Sequence, residues 1–474
     1  MTSEVQVVFK TNLPEEFQAP EVQISIGTSS TNKELTQVQF SFKEQLIFQI
    51  LKQLLADNGD VDIKGKKFNF MVNNVFITTS VQEYSSHSFK QSQYSILDKQ
   101  SIQNEELIEI YYQFSLEKPK PTHSMPQEEW ISTIKSLSHI LNEKAKTYAV
   151  GFFNGDVKIF NKKDHKELLS IKQLHQDSII QDALFLKNDA LDKKLLVTCS
   201  TLPNSELRVS EIIERDRKYH FNQIAQSKHD EYSNINDGFK CLGSNPMNNE
   251  FICSAYQTND SAPEKAILIW RLNKQHLEDS SQKQLKMGEM KRLKTNITYI
   301  SAHQNITCGG GIQSMKWATP SRIYVGCSDH SVKIVNVEQA QIEEVLFTTY
   351  KVPTCIDSIQ ETLLLTGHED ATVKLWDIRT GVAERKYKSQ YESHKSWISQ
   401  VKVNSNVENV FVSGSYDGTV KMWDLRNEER PLATLKRKNE GNSDDYKVFA
   451  LEWNGASQIL SGGSDSHISV HSLA

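Results

Sequence analysis

The stretch Gly414–Asp424, GSYDGTVKMWD, predicts two strands joined by a tight turn at Asp417-Gly418. Gly418 can take the positive φ that such a turn requires without steric cost. The same phrase occurs 47 residues earlier as GHEDATVKLWD, Gly367–Asp377, with seven of eleven positions identical. Weaker copies stand at 326–336, 462–472 and 151–161. A phrase that recurs every 40 to 50 residues or so indicates a β-propeller.

The number of blades follows from the positions equivalent to Trp423. These predict seven blades, at Phe160, Ser210, Trp270, Val335, Trp376, Trp423 and His471. The intervals that lead into the third and fourth blades, 60 and 65 residues, are the longest and predict loop insertions. One insertion, near 277–296, is polar and basic. Its cations could contact RNA phosphates, act as a nuclear import signal or simply be solvated; they are Lys283, Lys286, Lys291, Arg292 and Lys294.

The chain before the repeats has a different pattern. Alternating runs at 4–10 and 22–26 predict a hairpin, and residues 45–55 have the apolar spacing of a helix. Short strands are predicted at 68–72 and 75–77, and a last strand, at an edge of the sheet, at 107–112. This order is typical of a small α+β ubiquitin-like (β-grasp) domain. We predict this domain over 1–113, a Pro-containing linker over 114–127, and the all-β propeller over 128–474.

Charge is distributed unevenly along the chain. Residues 1–112 hold 9 Lys or Arg and 14 Asp or Glu, which accounts for the whole net charge of −5. An acidic head suggests a cationic or metal-bearing partner, although a solubilising surface bias would give the same count. The N-terminus lacks a signal-peptide pattern and no apolar run approaches membrane-spanning length. We therefore expect an intracellular protein in a reducing compartment.

His394, Ser413 and Asp417 lie in one repeat and have the residue types of a nucleophilic triad. The structural alternative is a hydrogen-bonded network with Trp423 that holds the turn of the blade. Partial recurrence favours the network, since an enzyme needs one active site. Its further members are Asp370, Trp376, Asp329 and Asp465, and His175 and His303 are assigned the same structural part. The six cysteines contain no C-x-x-C pair, so we expect no zinc site or redox motif. Since the sequence offers no convergent catalytic site either, we expect no enzyme activity, intrinsic metal or cofactor.

Segments along the whole chain resemble the sequences of the WD-repeat ribosome-assembly factor family of the PeBoW complex. They are Phe68–Tyr84, Asn104–Tyr112, Glu128–Lys135, Asp445–Trp453 and Ile459–Val470. The likeness is poor in blades one and two and in residues 28–42. The related Notchless assembly factors share the two-part plan but have eight blades, so seven blades favour the PeBoW family.

The resemblance implies a non-enzymatic factor for large-subunit maturation and pre-rRNA processing in the nucleolus and nucleoplasm. It implies a propeller docked on that of Block of proliferation, together with pescadillo. The head would be grasped by the metal-dependent adhesion site of the AAA ATPase midasin, where one head carboxylate completes the coordination of Mg²⁺. That ligand falls on Glu105, or on Glu106 if the alignment slips by one residue. A Notchless-type factor and a ubiquitin-pathway or signalling scaffold remain as alternatives.

Overall fold

The structure of the 474-residue chain is a computed structural model. The chain divides into two compact units, Met1–Glu117 and Lys118–Ala474. The structure describes residues 2–11, 18, 24–29, 50–55, 68–72, 75–76, 108–114, 118–136, 147–188, 193–201, 206–215, 218–227, 239–245, 251–256, 266–271, 298–300, 302–308, 310–347, 351–359, 361–380, 387–407, 409–428, 430–437 and 446–473.

The first unit, the head, is a mixed five-stranded sheet with a short helix. Residues 50–55 are helical. The strands are β1 (Thr2–Lys10), β2 (Ile24–Ser29), β3 (Phe68–Val72), β4 (Val75–Phe76) and β5 (Ile108–Phe114). The sheet order is β2-β1-β5-β3-β4, and the parallel pairing of β1 with β5 at its centre is the arrangement of a β-grasp domain.

The helix and the sheet of the head both bury apolar side chains. Leu51 and Leu55 of the helix are buried, as are Phe9 and Tyr112, whose rings meet edge to face at 6.1 Å.

The last strand was predicted at an edge, and that prediction is wrong. β5 lies between β1 and β3. Alternation reports only that one face of a strand is buried, and a central strand alternates just as an edge strand does.

The second unit is a propeller, and its described residues form seven blade sheets, as predicted. Each blade runs from an inner first strand outwards through antiparallel neighbours. The first strands, in blade order, are β7 (Ile131–Ser136), β11 (Ile180–Asn188), β15 (Phe239–Ser244), β20 (Ile312–Thr319), β24 (Pro353–Ile359), β28 (Ile398–Val403) and β32 (Val448–Asn454). The second strands are β8 (Thr147–Phe152), β12 (Lys193–Ser200), β16 (Phe251–Tyr256), β21 (Arg322–Cys327), β25 (Leu363–His368), β29 (Val410–Ser415) and β33 (Gln458–Gly463).

The third strands carry the seven positions equivalent to Trp423. They are β9 (Val157–Asn161), β13 (Leu207–Arg215), β17 (Ala266–Arg271), β22 (Ser331–Asn336), β26 (Thr372–Asp377), β30 (Thr419–Asp424) and β34 (His467–Ser472). The fourth, outer strands are β10 (Glu167–Ile171), β14 (Lys218–Ser227), β19 (Ala302–Thr307), β23 (Gln341–Phe347), β27 (Ser389–Glu392), β31 (Ala433–Lys436) and β6 (Lys120–Pro126). A 3-10 turn at Ile378–Thr380 follows β26.

Apolar side chains are buried between neighbouring blades rather than within one. Trp423 packs with Leu375 and Val373 of the preceding blade, and Trp376 with Ile334 and Val332 of the blade before that. Because one sheet cannot bury both of its faces alone, each blade depends on its two neighbours. The buried core therefore runs around the ring as a series of shared layers.

The seventh blade is completed by β6, which comes from the chain before the first blade. Lys120–Pro126 pairs antiparallel with β34, from Lys120 opposite Ser472 to Pro126 opposite His467. The predicted linker over 114–127 is thus wrong for the half of its length that forms β6. The residues of β6 are exposed except Met125, which is half-buried. An outer strand with exposed side chains lacks the apolar pattern by which strands are detected.

Blade two carries a fifth strand that the sequence did not predict. β18 (Thr298–Ile300) pairs in parallel with β14, through Ala225 opposite Thr298. β18 lies in the chain between β17 and β19, which both belong to blade three. Between leaving and re-entering blade three, the chain thus adds β18 to the outer edge of blade two.

Candidate functional site

The predicted metal ligand of the head, Glu105, and its alternative, Glu106, lie outside the described residues. So do the five cations of the basic insertion, at 283, 286, 291, 292 and 294. Of the predicted sites, the structure describes the blade networks.

The network of blade six is a continuous chain of hydrogen bonds. Trp423 Nε1 donates to Ser413 Oγ at 2.9 Å, and Ser413 Oγ lies 2.8 Å from His394 Nε2. His394 Nδ1 lies 3.0 Å from Asp417 Oδ2, which also accepts from the backbone N–H of Lys395 at 2.8 Å. Because the Ser413 hydroxyl accepts from the indole, its proton is available for Nε2. This places the imidazole proton on Nδ1, where Asp417 accepts it.

Burial decides what these groups do chemically. The His394 side chain is 1% exposed, and burial lowers its pKa even though Asp417 raises it. The hydrogen bonds from His394 and Thr419 hold the pKa of Asp417 below its usual value, against the opposing effect of burial. Ser413 is fully buried and its oxygen is shared by two partners. No substrate can approach it, so this set fixes a turn.

The other blades keep parts of the network and replace the rest. In blade five Trp376 Nε1 donates to Thr366 Oγ1 at 2.8 Å, which lies 2.8 Å from His368 Nε2. Asp370 there accepts from Thr372, at 2.6 Å from its hydroxyl. In this blade the histidine comes from the second strand, not from the segment before the blade.

In blades four and seven a charged lysine or arginine takes the place of the histidine. Asp329 pairs with Lys333 at 2.6 Å, and Asp465 pairs with Arg437 at 2.6 Å. The Arg437 side chain is 3% exposed and occupies the role that His394 has in blade six. The sequence placed Asp329 and Asp465 in the network but did not find these two partners. A search for a basic residue in the same repeat could have found them.

Blade two has a histidine without a tryptophan. His175 Nε2 lies 2.8 Å from Thr198 Oγ1, and the position equivalent to Trp423 is Ser210, which is fully buried. Burial, and then the charge of Arg208, lowers the pKa of His175 to about 3. The side chain of His303, assigned the same part, lies outside the described set.

The first strands surround a central channel of about 1160 Å³. Charged side chains of neighbouring blades pair along its wall: Lys135 with Asp182 at 2.9 Å, Lys316 with Asp357 at 2.7 Å and Lys402 with Glu452 at 3.3 Å. Asp182 and Asp357 also accept backbone N–H groups of the next blade, from Leu242 and Val403. These pairs join successive blades at the axis.

Five aromatic side chains form one contiguous cluster where the channel opens, which we call the aromatic mouth. Trp130 and Phe153 lie 5.6 Å apart, Phe153 and Phe449 5.4 Å, Phe449 and Tyr416 5.6 Å, and Tyr416 and Trp397 6.2 Å, as ring centroids. None of these residues was predicted from the sequence as a site. Aligning the segments before each first strand would have shown tryptophan in two blades.

Neither a metal site nor a membrane span is found in the described part of the chain. No three His, Cys, Asp or Glu side chains there are grouped to hold an ion. No described helix has the length and apolar character needed to cross a membrane. Burial raises the pKa of the Cys241, Cys327 and Cys355 thiols to about 12, which leaves them unreactive.

Comparison with known proteins covers nearly the whole chain. A protein of Aedes aegypti named Ribosome biogenesis protein WDR12 homolog is 21% identical over 457 residues, 96% of this chain and 92% of that protein. Homologues of the same name from Drosophila virilis and Dictyostelium discoideum are 22% and 21% identical, over 98% and 95% of this chain and 95% and 94% of theirs. The resemblance to the PeBoW WD-repeat family is confirmed.

Two further matches concern the propeller. Residues 313–441 match the family described as Nucleolar protein 10-like, N-terminal domain. The crystal structure of Chaetomium thermophilum Raptor superposes with a TM-score of 0.57 at 14% identity, over 76% of this chain. This chain covers only 30% of the Raptor chain, so the likeness supports the fold alone. The WDR12-type matches span head and propeller together.

Proposed function

We propose that this protein is a non-enzymatic assembly factor for the large ribosomal subunit, acting in the nucleolus and nucleoplasm. The observation that carries the proposal is the match to ribosome-biogenesis proteins over 95–98% of the chain. A match confined to the propeller would be shared with many unrelated functions, since propellers host many. A match that also includes a β-grasp head is far more restrictive.

The propeller is proposed to dock on the propeller of a Block of proliferation homologue and so to join pescadillo on the pre-ribosomal particle. A closed ring with shared cores between blades supports this role, because it presents its surface without a large ordering cost on binding. Co-purification of the tagged chain with both partners tests it. Recovery of neither partner from nucleolar extracts would contradict it.

The head is proposed to be the handle that midasin grasps, with Glu105 as a ligand to Mg²⁺ in the partner's adhesion site. A carboxylate oxygen suits this hard cation. In sequence, Glu105 stands three residues before β5, and β5 is hydrogen-bonded to β1 on one side and β3 on the other. A force that enters the head just before β5 is therefore shared by two ladders of the sheet.

The test uses the full-length protein and the isolated midasin adhesion domain. Binding is measured by calorimetry with Mg²⁺ and with a chelator, for wild type, Glu105→Gln and Glu106→Gln. The amide keeps the shape of the side chain and removes the charge that the cation needs. We expect metal-dependent binding that is lost in Glu105→Gln and kept in Glu106→Gln.

The other outcomes also decide between hypotheses. Loss only in Glu106→Gln moves the ligand by one residue. Absence of binding in every form refutes the handle and favours a scaffold whose head meets ubiquitin receptors. Binding that persists with the chelator refutes the role of the metal.

A further inference from the structure

Equivalent backbone hydrogen bonds mark one end of the propeller. In blade one the N–H of Phe153, after the second strand, donates to the C=O of Trp130, before the first strand, at 3.1 Å. In blade six Tyr416 donates to Trp397 at 3.0 Å. The same bond links Ser464 to Lys447, Thr201 to Ile179, Ser328 to Gly311 and Glu369 to Val352. All these residues therefore lie at the same end of the ring.

The residue types at this end differ sharply from blade to blade. Aromatic pairs occupy the two positions in blades one and six, which are the two neighbours of blade seven. In blade seven, Phe449 contacts both pairs, with ring centroids 6.3 Å from Trp130 and 5.6 Å from Tyr416. A purely structural need would be expected in every blade. The aromatic mouth is confined to three, as a binding surface would be.

The two tryptophans of the aromatic mouth are largely open to solvent. Trp397 is 52% exposed and Trp130 is 46% exposed, although each is held by a neighbouring ring. Contiguous exposed apolar surface is characteristic of interaction sites. Tryptophan and tyrosine, already oriented by packing, contribute most to binding because they bury a large area and lose few rotamers.

Charge indicates the character of the ligand. The channel behind the aromatic mouth and its rim are lined by five lysines and three acidic residues, a net charge of +2: Lys135, Lys240, Lys316, Lys402, Lys447, Asp182, Asp357 and Glu452. Lys447 is exposed and its Nζ stands 5.5 Å from the ring centre of Tyr416. At the other side of the aromatic mouth, the Glu129 carboxylate accepts a hydrogen bond from the backbone N–H of Trp130 at 2.8 Å.

We propose that the aromatic mouth binds a short acidic peptide segment of a partner protein, with an apolar side chain as its anchor. The apolar anchor lies against Trp397, Phe449 and Trp130. The acidic side chains lie near Lys447, away from Glu129. The inference stands on the propeller surface itself and goes beyond the ribosomal role, so it holds or fails independently of the head.

The probe is a phage-displayed library of short random peptides, selected on the full-length protein. We expect the selected sequences to be enriched in Asp and Glu next to Leu, Phe or Trp. A synthetic peptide of the selected sequence is then titrated by fluorescence anisotropy at low and high salt. Affinity should fall as salt rises, because complementary charges are screened.

The variants separate anchor from charge. Trp397→Ala removes an exposed ring and is expected to weaken binding by roughly tenfold or more. Lys447→Gln should weaken binding and reduce its salt dependence, because it removes the exposed positive charge at the rim. Tyr387→Ala is the matched control, because Tyr387 is an exposed aromatic of similar accessibility, 39%, outside the aromatic mouth. The melting temperature of each variant shows that the fold is kept.

Several results overturn the proposal. One is selection of basic or purely apolar peptides, or of none. Another is binding that Trp397→Ala leaves unchanged or that Tyr387→Ala weakens equally. A third is a concentration-dependent dimer, seen by light scattering, that Trp397→Ala disrupts, because a second copy would then be the occupant.

Discussion

Acidification is expected to weaken the propeller through two buried histidines, His175 and His368. The two residues are 1% and 0% exposed, and burial lowers the pKa of each to about 3, helped by Arg208 and Lys374 respectively. In an unfolded chain histidine titrates near pH 6.5, roughly. Between these values the unfolded state binds two more protons than the folded state, so the free energy of unfolding falls as pH falls.

The size of the effect follows from the linkage relation. Each histidine that charges only on unfolding contributes about 1.2 kcal/mol of lost stability between pH 6 and pH 5, roughly, so the pair contributes about 2.4 kcal/mol. Both rings use Nε2 toward a threonine hydroxyl, at 2.8 Å from Thr198 and from Thr366. These contacts hold the neutral form in place. Carboxylates that are paired in the folded state lose their contribution only at lower pH.

Urea unfolding followed by tryptophan fluorescence, at several pH values from neutral to about pH 5, measures this slope. The variant His368→Gln keeps an acceptor near Thr366 and should remove the contribution of one histidine from the pH dependence, whatever its effect on absolute stability. His220→Gln is the matched control, since His220 is exposed on β14. A stability that is flat over this range, or a slope that His368→Gln leaves unchanged, would refute the reasoning.

Three further expectations test other parts of the fold. Gly418→Ala should lower the free energy of unfolding by at least about 1–2 kcal/mol, because Gly418 has φ 74° and an added Cβ would stand 2.5 Å from the Tyr446 carbonyl oxygen. Urea unfolding measures this loss, and equal stability of the variant would contradict the strained turn. Asp357→Asn should lower stability by about 1 kcal/mol, because the buried Asp357 carboxylate loses its charge-assisted bond with Lys316, and an unchanged melting temperature would show that the channel pairs add nothing. A chain lacking residues 1–117 should stay soluble and monomeric, whereas one lacking residues 1–126 should lose β6 and aggregate through the open edge of β34, as size-exclusion chromatography would show.

The repeats could be predicted from sequence because the turn and the third strand are tightly constrained together. Gly418 must take a positive φ, and Trp423 must fill the layer between blades while its indole reaches Ser413. In blade two a small residue, Ser210, occupies the position equivalent to Trp423. The repeat motif therefore cannot be recognised there, although the strands of the blade are present. Composition at one position varies once neighbouring residues supply the missing volume.

Other features were beyond the reach of pattern reasoning. β6 has exposed side chains and is defined by backbone pairing with a strand at the far end of the chain. The exchange of His394 for Arg437 in blade seven depends on spatial contact with Asp465. The aromatic mouth is assembled from three blades, so no single stretch of sequence carries it. Such features depend on contacts between residues that are distant in sequence, and the periodicity of a short segment does not indicate such contacts.

The way in which β6 closes the ring also sets the order of events during synthesis. Thr122 of β6 donates to the carbonyl of Val470, 348 residues further along the chain. At about 5–20 residues per second, β6 leaves the ribosome roughly 20–70 s before the strand it pairs with. Throughout that interval the growing propeller is an open arc with two unpaired edges. The circle of blades can become a single cooperative body only after the last strand has been made.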